Sequence, residues 1–431
     1  MLAVLRQRNF SLLWSAGLIS MIGDWMLFIA LPIYVYKLTG SALATGTMFI
    51  AEMIPSLLLG SVAGVFVDRW DRKRTMVISN LLLALGLLPL LLVHSTAWLW
   101  VVYIVAFVES VLTQFFTPAE SALLPLLVGE EHVGPANSLN SLNKNIARLI
   151  GPPLGGIVAG LSGLPAITLA DAASFLIAGG MIALIAVQSR ASEEESTGIS
   201  TPANSLHPLV AVWREWLEGL GLVKRERVVS IMFVLFAVTS LGEGVFGILF
   251  VVFVYRILHG GALQLGELMG AQAVGGLIGS MLVGYVIKII TPSRLLGISG
   301  ILFGLIDLVI FNYPAFFPGF TLAVILFVLV GVPGVGTLTS AYTLLQTAVT
   351  DEYRGRIFGA LGTTGALFML LGTVLAGFLG DHIGVVTVLN TQGAVYVLAG
   401  GFVLVTLFNF KISAKTEILG EQEQSQAAAM P

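Results

Sequence analysis

The sequence predicts an all-α integral membrane protein of twelve transmembrane helices, arranged as two pseudo-symmetric halves of six. Hydrophobic residues make up 57% of the 431 residues and charged residues 10%, where an ordinary soluble domain is about 25% charged. In addition, Gly23-Asp24 recurs as Gly242-Glu243, and Gly60-Ser61 as Gly279-Ser280, at one constant offset of 219 residues. Because an acid within an apolar stretch is costly, its recurrence at equivalent places indicates a duplicated membrane protein.

Apolar blocks of about 20 residues, each able to cross about 30 Å of hydrocarbon, define the spans. In the first half they are expected at 9–36, 42–67, 75–94, 97–124, 137–161 and 165–187. In the second half they are expected at 228–257, 263–289, 294–311, 318–346, 354–379 and 385–410. The segment before span 1 is too short for a cleaved signal peptide, so we expect span 1 to remain in place.

The domain boundaries follow from these spans. We expect an N-terminal six-helix half at 1–189, a C-terminal half at 228–410 and a cytoplasmic tail at 411–431. The connecting segment, 190–227, begins with a Ser-, Glu- and Pro-rich stretch that favours a flexible linker. Apolar residues at helical spacing then predict a short amphipathic helix in the cytoplasmic interface. The alternative is a core helix of a separate small domain, although no other apolar segment is available to pack on it.

Lysine and arginine placement predicts the orientation. With the N-terminus inside, 17 of the 21 Lys and Arg residues fall in or beside cytoplasmic segments, and only Lys37 and Arg256 fall outside. This bias predicts that both termini are cytoplasmic. The chain has no cysteine, which excludes disulfides and thiolate metal sites. The five histidines form no metal-spaced pair, and the sequence has no nucleophile elbow and no P-loop, so we expect no metal, no cofactor and no enzyme activity. We also expect no nucleic-acid partner.

The loop between spans 2 and 3 contains a basic motif. Its key residues are Gly64, Asp68, Arg69, Arg72 and Lys73. They resemble the loop signature of the major facilitator superfamily, with an aspartate at position 71 where that signature usually has glycine. A carboxylate here can sit at a helix N-terminus of the other half, and the arginines can bridge carboxylates. The resemblance therefore implies a cytoplasmic gate; the alternative is that the basic run only sets topology.

Span 5 contains Gly151-Pro152-Pro153-Leu154-Gly155-Gly156, which resembles the G-P-x-x-G-G element of antiporters in this superfamily. Proline removes a helix hydrogen bond and small residues allow close approach, so Gly151, Pro152, Gly155 and Gly156 are predicted to bend and seal this span. Ordinary small-residue packing is the alternative. Segments 118–125, 136–140 and 171–175 resemble the branch of macrolide-efflux and enterobactin-exporter proteins. The resemblance covers about residues 5–410.

Ionisable groups within the spans are the mechanistic candidates, since each costs about 2.5–3.5 kcal/mol at mid-span. Four acids fall close to half-depth: Asp24, Glu52, Glu109 and Glu243. In the superfamily fold, spans 1, 4, 7 and 10 line the cavity, so the resemblance implies that Asp24, Glu109 and Glu243 face it. Burial without a cation favours the protonated form of a carboxylic acid, as a proton carrier requires. Asp24 and Glu243 have no obvious cation at their depth, so we expect them to be the better proton carriers, with Asp24 first, and Glu109 to be a further coupling candidate. A hydrogen bond from either acid to a neighbouring helix backbone is the alternative. Asp171 and Asp307 lie on outer-ring spans near the outside face, where a structural role is expected.

Span 5 also carries a polar stripe. Asn137, Asn140, Lys144 and Arg148 recur at a spacing that places them on one helix face. Arg148 lies about 16 Å into the span, at the depth expected for Glu109 on span 4. We therefore hypothesise that Glu109 and Arg148 pair and that protonation releases the arginine. A permanent structural ion pair is the alternative.

These features predict a secondary transporter, because duplication around a midplane site is typical of that class. By resemblance it exports an amphiphilic small molecule of drug, macrolide or siderophore type by proton antiport, across the plasma (inner) membrane of a prokaryote. The expected partners are this substrate, protons and the lipid bilayer, with the protein a monomer. The alternative is a lipid or metabolite flippase or facilitator without proton coupling. Titration of Asp24 or Glu243 during turnover distinguishes the two.

Overall fold

The fold consists of long helices in a computed structural model that describes residues 2–67, 69–186, 227–317, 319–349 and 351–407. A single helical turn, Leu2–Leu5, precedes the first span. The first half then contains α1 Arg8–Thr39, α2 Ala42–Val67, α3 Arg72–Leu87 and α4 Leu99–Val128, followed by the helical run Val133–Ala183. The second half contains α7 Arg227–Arg256, α8 Ala262–Val286, α9 Pro292–Asn312, α10 Phe320–Ala348, α11 Asp351–His382 and α12 Val385–Leu407.

The run Val133–Ala183 is two spans joined end to end. It is one of 11 described helices that are long and apolar enough to cross a membrane, and its 51 residues would reach about 75 Å if straight. Gly163 interrupts the helix with φ 73° and ψ −172°, a backbone conformation that is essentially restricted to glycine. The interruption separates α5 (133–162) from α6 (164–183), which completes the twelve predicted spans.

Local sequence explains how the helices begin and end. Gly40 terminates α1 at φ 65°, and its N–H donates to the carbonyl of Tyr36, as in a left-handed C-cap. Asp71 begins α3 because its side chain accepts a hydrogen bond from the Arg74 N–H at 2.7 Å. Several helices run beyond their predicted limits, since the apolar pattern marks only the part that crosses hydrocarbon. The predicted linker and interfacial helix at 190–226, and all residues from 408, lie outside the described residues.

Successive helices alternate in direction, so the bundle has two faces. We call the face with Arg8 and Leu407 the terminal face and the face with Gly40 and Asp381 the Gly40 face. Near the terminal face, each half has its own apolar core, one around Phe10 and one around Met232. Near the Gly40 face, one core instead crosses the halves; it joins Ile29, Tyr36 and Ala42 to Ile248, Phe253, Leu265 and Ala376. The halves are therefore packed together at the Gly40 face.

Candidate functional site

Three acidic side chains line one cavity inside the first half. The cavity, of about 260 Å³, lies between α1, α2 and α4; its lining residues are Asp24, Trp25, Leu27, Phe28, Leu31, Met48, Glu52, Ala106 and Glu109. Trp25 and Phe28 pack edge to face at 5.2 Å. Oδ1 of Asp24 is buried and has no hydrogen-bond partner among the described residues. The cavity therefore combines carboxyl groups with aromatic and aliphatic surface.

A fourth acid lies directly behind this cavity. Asp171 on α6 is fully buried, and it lies near enough to Asp24 and Glu109 to interact with them electrostatically. The close approach depends on Gly23, because a Cβ at that position would overlap Oδ1 of Asp171 and Oγ of Ser174. We expected Asp171 near the outside face. Instead it belongs to the surroundings of Asp24, although Ser174 does donate to its Oδ1 at 3.1 Å.

The second half repeats this arrangement with different polar groups. A Cβ at Gly242 on α7 would overlap the ring and hydroxyl of Tyr396 on α12. That hydroxyl donates to the Thr239 carbonyl at 3.2 Å. Glu243 and the buried Asp307 on α9 lie within electrostatic reach of each other. The repeated glycine-acid pairs thus mark the places where the first helix of each half packs tightly on the last.

The four residues of the polar stripe lie on one side of α5, as their spacing predicts. Asn137, Lys144 and Arg148 are exposed, and Asn140 is half-buried. Lys144 interacts electrostatically with Glu120 on α4. The stripe therefore presents two amides and two cations, with Lys144 near α4 and Arg148 beside Trp25 of α1.

The predicted Glu109–Arg148 pair is wrong for this structure, since no ion pair joins these two described residues. The Arg148 guanidinium lies 6.0 Å from the centre of the Trp25 ring, and it interacts electrostatically with Glu243 of the other half. Glu109 points instead toward Asp24 and Glu52. Equal depth on two helices is therefore not enough to bring two residues into contact. The expectation that Glu243 has no cation nearby is also wrong, because Arg148 of the first half interacts with it.

The glycine- and proline-rich element of α5 lies between α1 and α8. Gly151 and Gly155 pack on α1, where a Cβ would meet Trp25 and the Met26 backbone. Gly156 packs on the other half, where a Cβ would lie 2.5 Å from the Ala262 carbonyl oxygen. In return, a Cβ at Gly266 on α8 would overlap the Pro152 carbonyl. The predicted seal residues therefore form close helix contacts both within the first half and across the two halves.

Hydrogen bonds also join the halves at the Gly40 face. Asp381, near the end of α11, accepts hydrogen bonds from the Ser41 hydroxyl at 3.3 Å and from the Ala42 N–H at 3.4 Å. Arg256 donates to the Gly40 carbonyl at 2.8 Å. Its guanidinium lies 5.3 Å from the Tyr36 ring centre, within cation–π range. The carboxylate thus caps the first turn of α2, and we call these six residues the Gly40-face latch.

The predicted gate loop lies at the terminal face, where Asp68 is outside the described residues and nothing is described of Gly64 beyond its place in α2. Arg72 donates to the Ala122 carbonyl of α4 at 3.3 Å, a bond within its own half. Arg69 is exposed and Lys73 half-buried. The unusual aspartate at position 71 serves as the helix cap of α3.

Sequence reasoning missed three polar residues with clear roles in this geometry. Glu52 was recognised as a mid-depth acid, but its span was not expected to line the cavity. Asn143 on α5 is buried and donates to the Trp14 carbonyl of α1 at 2.8 Å. Asn143 directly precedes Lys144 of the predicted stripe, so residue type and spacing do not separate it from the stripe. Its burial in the structure does. The sequence contains no signal for Asp381, because its partners are about 340 residues away.

Known proteins with related sequences are transporters. The family model for transmembrane secretion effectors matches residues 1–426. Macrolide efflux protein A of Streptococcus pyogenes is 27% identical over 391 residues, covering 88% of this chain and 90% of that protein. The multidrug efflux pump Tap of Mycobacterium bovis is 28% identical over 384 residues, covering 86% of each chain. Among solved structures, a bacterial homologue of the iron transporter ferroportin in its inward-facing state has a TM-score of 0.68 at 15% identity, over 92% of this chain and 98% of that one; this likeness shows the fold.

Proposed function

Because the chain belongs to the transmembrane secretion effector family of major facilitator transporters, we propose that it exports an amphiphilic small molecule in exchange for protons. The substrate class is of drug, macrolide or siderophore type. The proposed setting is the plasma (inner) membrane of a prokaryote, where the protein acts as a monomer with both termini cytoplasmic.

The observation that carries this proposal is the acidic cavity of the first half. Asp24, Glu52 and Glu109 meet there beside Trp25 and Phe28, and no lysine or arginine among the described residues forms an ion pair with these acids. Acids without a cation in an apolar setting favour the protonated state. Such groups can carry protons, while the aromatic rings supply surface for an amphiphile.

The proposed roles follow the positions of the residues. Asp24 is the principal proton carrier, with Glu109 and Glu243 as further coupling groups. Arg148, Lys144 and Asn140 line the path of the substrate beside them. These side chains change partners as the two halves rock about the cavity.

Each face of the bundle has its own set of contacts that close it. Positive-inside placement of lysine and arginine supports an outward position for the Gly40 face. Among the seal residues, Pro152 and Gly156 contact α8 and, together with the Gly40-face latch, hold the outside closed, while Gly151 and Gly155 hold α5 against α1. At the cytoplasmic face the gate loop closes in the opposite state, through the residues Gly64, Asp68, Arg69, Arg72 and Lys73.

Transport in inside-out vesicles tests the proposal. A panel of hydrophobic dyes and macrolides is offered under a pH gradient, with native protein, Asp24→Asn and a control, Glu267→Gln. Glu267 is an exposed acid on α8 that does not line the acidic cavity. We expect accumulation that stops with a protonophore and with Asp24→Asn but continues with Glu267→Gln.

Two other outcomes contradict the proposal. Accumulation that survives both the protonophore and Asp24→Asn would indicate a facilitator and make Asp24 structural. Movement of fluorescent lipid analogues between leaflets, with no accumulation of dye or macrolide, would indicate the alternative, a flippase of the same fold.

A further inference from the structure

Two buried carboxyl oxygens on either side of Gly23 lack a hydrogen-bond donor. Oδ1 of Asp24 and Oδ2 of Asp171 are both buried without a partner among the described residues. Asp171 has no exposed surface at all. Buried polar groups are normally hydrogen-bonded, so two unsatisfied acceptors close together need an explanation.

Among the described residues, the structure shows one side-chain donor for these two acids, the hydroxyl of Ser174 on the same helix as Asp171. It lies 3.1 Å from Oδ1 of Asp171 and 2.8 Å from the Asp171 carbonyl oxygen, and its single proton can serve one of them at a time. The groups that reach Asp171 electrostatically from the neighbouring helices are acids, Asp24 on α1 and Glu109 on α4. Glu52 on α2 reaches Asp24 in the same way. Two ionised carboxylates in this position would repel each other and lack solvation.

A proton on Asp171 resolves both deficits. A protonated carboxylic acid has one O–H donor, and Asp24, which interacts electrostatically with Asp171, directly follows the glycine against which Asp171 packs. The first and last helices of this half could not approach so closely with any larger residue at position 23, because its Cβ would overlap Asp171. A buried carboxylic acid that stays neutral and donates a hydrogen bond is an established chemical device.

We propose that Asp171 is a neutral carboxylic acid that donates a hydrogen bond across Gly23 to Asp24. It thereby sets the pH at which Asp24 exchanges its proton with water in the cavity. Asp171 is a positioning residue, since it does not reach the cavity itself. The inference rests on the proposed proton coupling through Asp24, but its test does not require transport.

The test compares Asp171→Asn with Asp171→Leu in purified, substrate-free protein. Asparagine is neutral, of similar size and keeps an N–H donor, whereas leucine has no donor. The readout is the infrared carboxyl C=O band of Asp24 across a pH series, identified as the band that Asp24→Asn removes. Thermal unfolding checks that each variant is folded, and Asp171→Ala replaces the leucine variant if that variant does not fold.

We expect the Asp24 titration to keep its native midpoint with asparagine and to move by about one pH unit or more with leucine, the scale of a strong interaction between titrating sites. A moved midpoint with asparagine would show that Asp171 is ionised and would overturn the inference. An unmoved midpoint with both variants would show a purely structural role. In either case the vesicle experiment still decides proton-driven transport separately.

Discussion

The contact of Gly156 with α8 can be tested by adding one methyl group. In Gly156→Ala the new Cβ would lie 2.5 Å from the Ala262 carbonyl oxygen and 3.0 Å from Leu263 Cα. Ordinary contact begins at 3.4 Å, so α5 and α8 must separate by roughly 0.9 Å. Both obstacles are backbone atoms, which cannot rotate away. Overpacking of this kind costs about 1–3 kcal/mol.

The cost applies only to the state in which the two halves touch at the Gly40 face. If the contact is absent in the opposite state, the ratio of closed to open molecules should fall by about 5- to 150-fold. Gly155→Ala is the matched control, because its Cβ would meet the Met26 backbone at 2.6 Å within the same half. That variant should lower thermal stability and leave the conformational ratio unchanged.

Distance measurement between spin labels provides the assay. The chain has no native cysteine, so labels on Ser95→Cys and Phe316→Cys are specific. Both positions are exposed on the Gly40 face, one in each half. We expect Gly156→Ala to increase the population at the longer distance. An unchanged distance distribution, or an equal change in Gly155→Ala, would refute the argument that this glycine contact closes the face.

Three further predictions follow from the contacts. Asp381→Ala removes the cap on α2 and should destabilise the closed state by roughly 0.5–2 kcal/mol, measured as a lower closed population with the same labels. Gly242→Ala should lower the thermal unfolding temperature, and less so in the Tyr396→Phe background, where the overlapping hydroxyl is gone; equal losses in both backgrounds would contradict the proposed overlap. Glu109→Gln and Arg148→Gln should have additive effects on the free energy derived from transport rates, within about 0.5 kcal/mol, since no ion pair joins these two described residues; strong coupling in the double variant would restore the pair that the sequence suggested.

The sequence was most informative where one helix alone determines the outcome. Apolar length located all twelve helices, and glycine content located the close contacts of α5. The repeated Gly23 and Gly242 marked equivalent packing positions in the two halves. In each case, the type of the residue itself restricts what can pack beside it, whichever residue the neighbour is.

The partners of the charged residues could not be predicted in this way. Depth along a helix was estimated from residue counts, but the direction of a side chain depends on how neighbouring helices rotate and tilt. Glu109 therefore faces Asp24 rather than Arg148. Asp171 likewise reaches the centre of its half because α1 approaches α6 at a glycine. Neither the direction of the Glu109 side chain nor the approach of α1 to α6 can be obtained from residue counts along one helix.

The one-residue joint at Gly163 has a mechanical consequence. A loop of several residues would absorb a displacement of α5, but this joint has no slack. Gly156, which contacts α8, lies about two helical turns before Gly163. A displacement of α5 at this contact is therefore transmitted to the start of α6. The helix that carries Asp171 is thus tied to the surface on which the two halves meet.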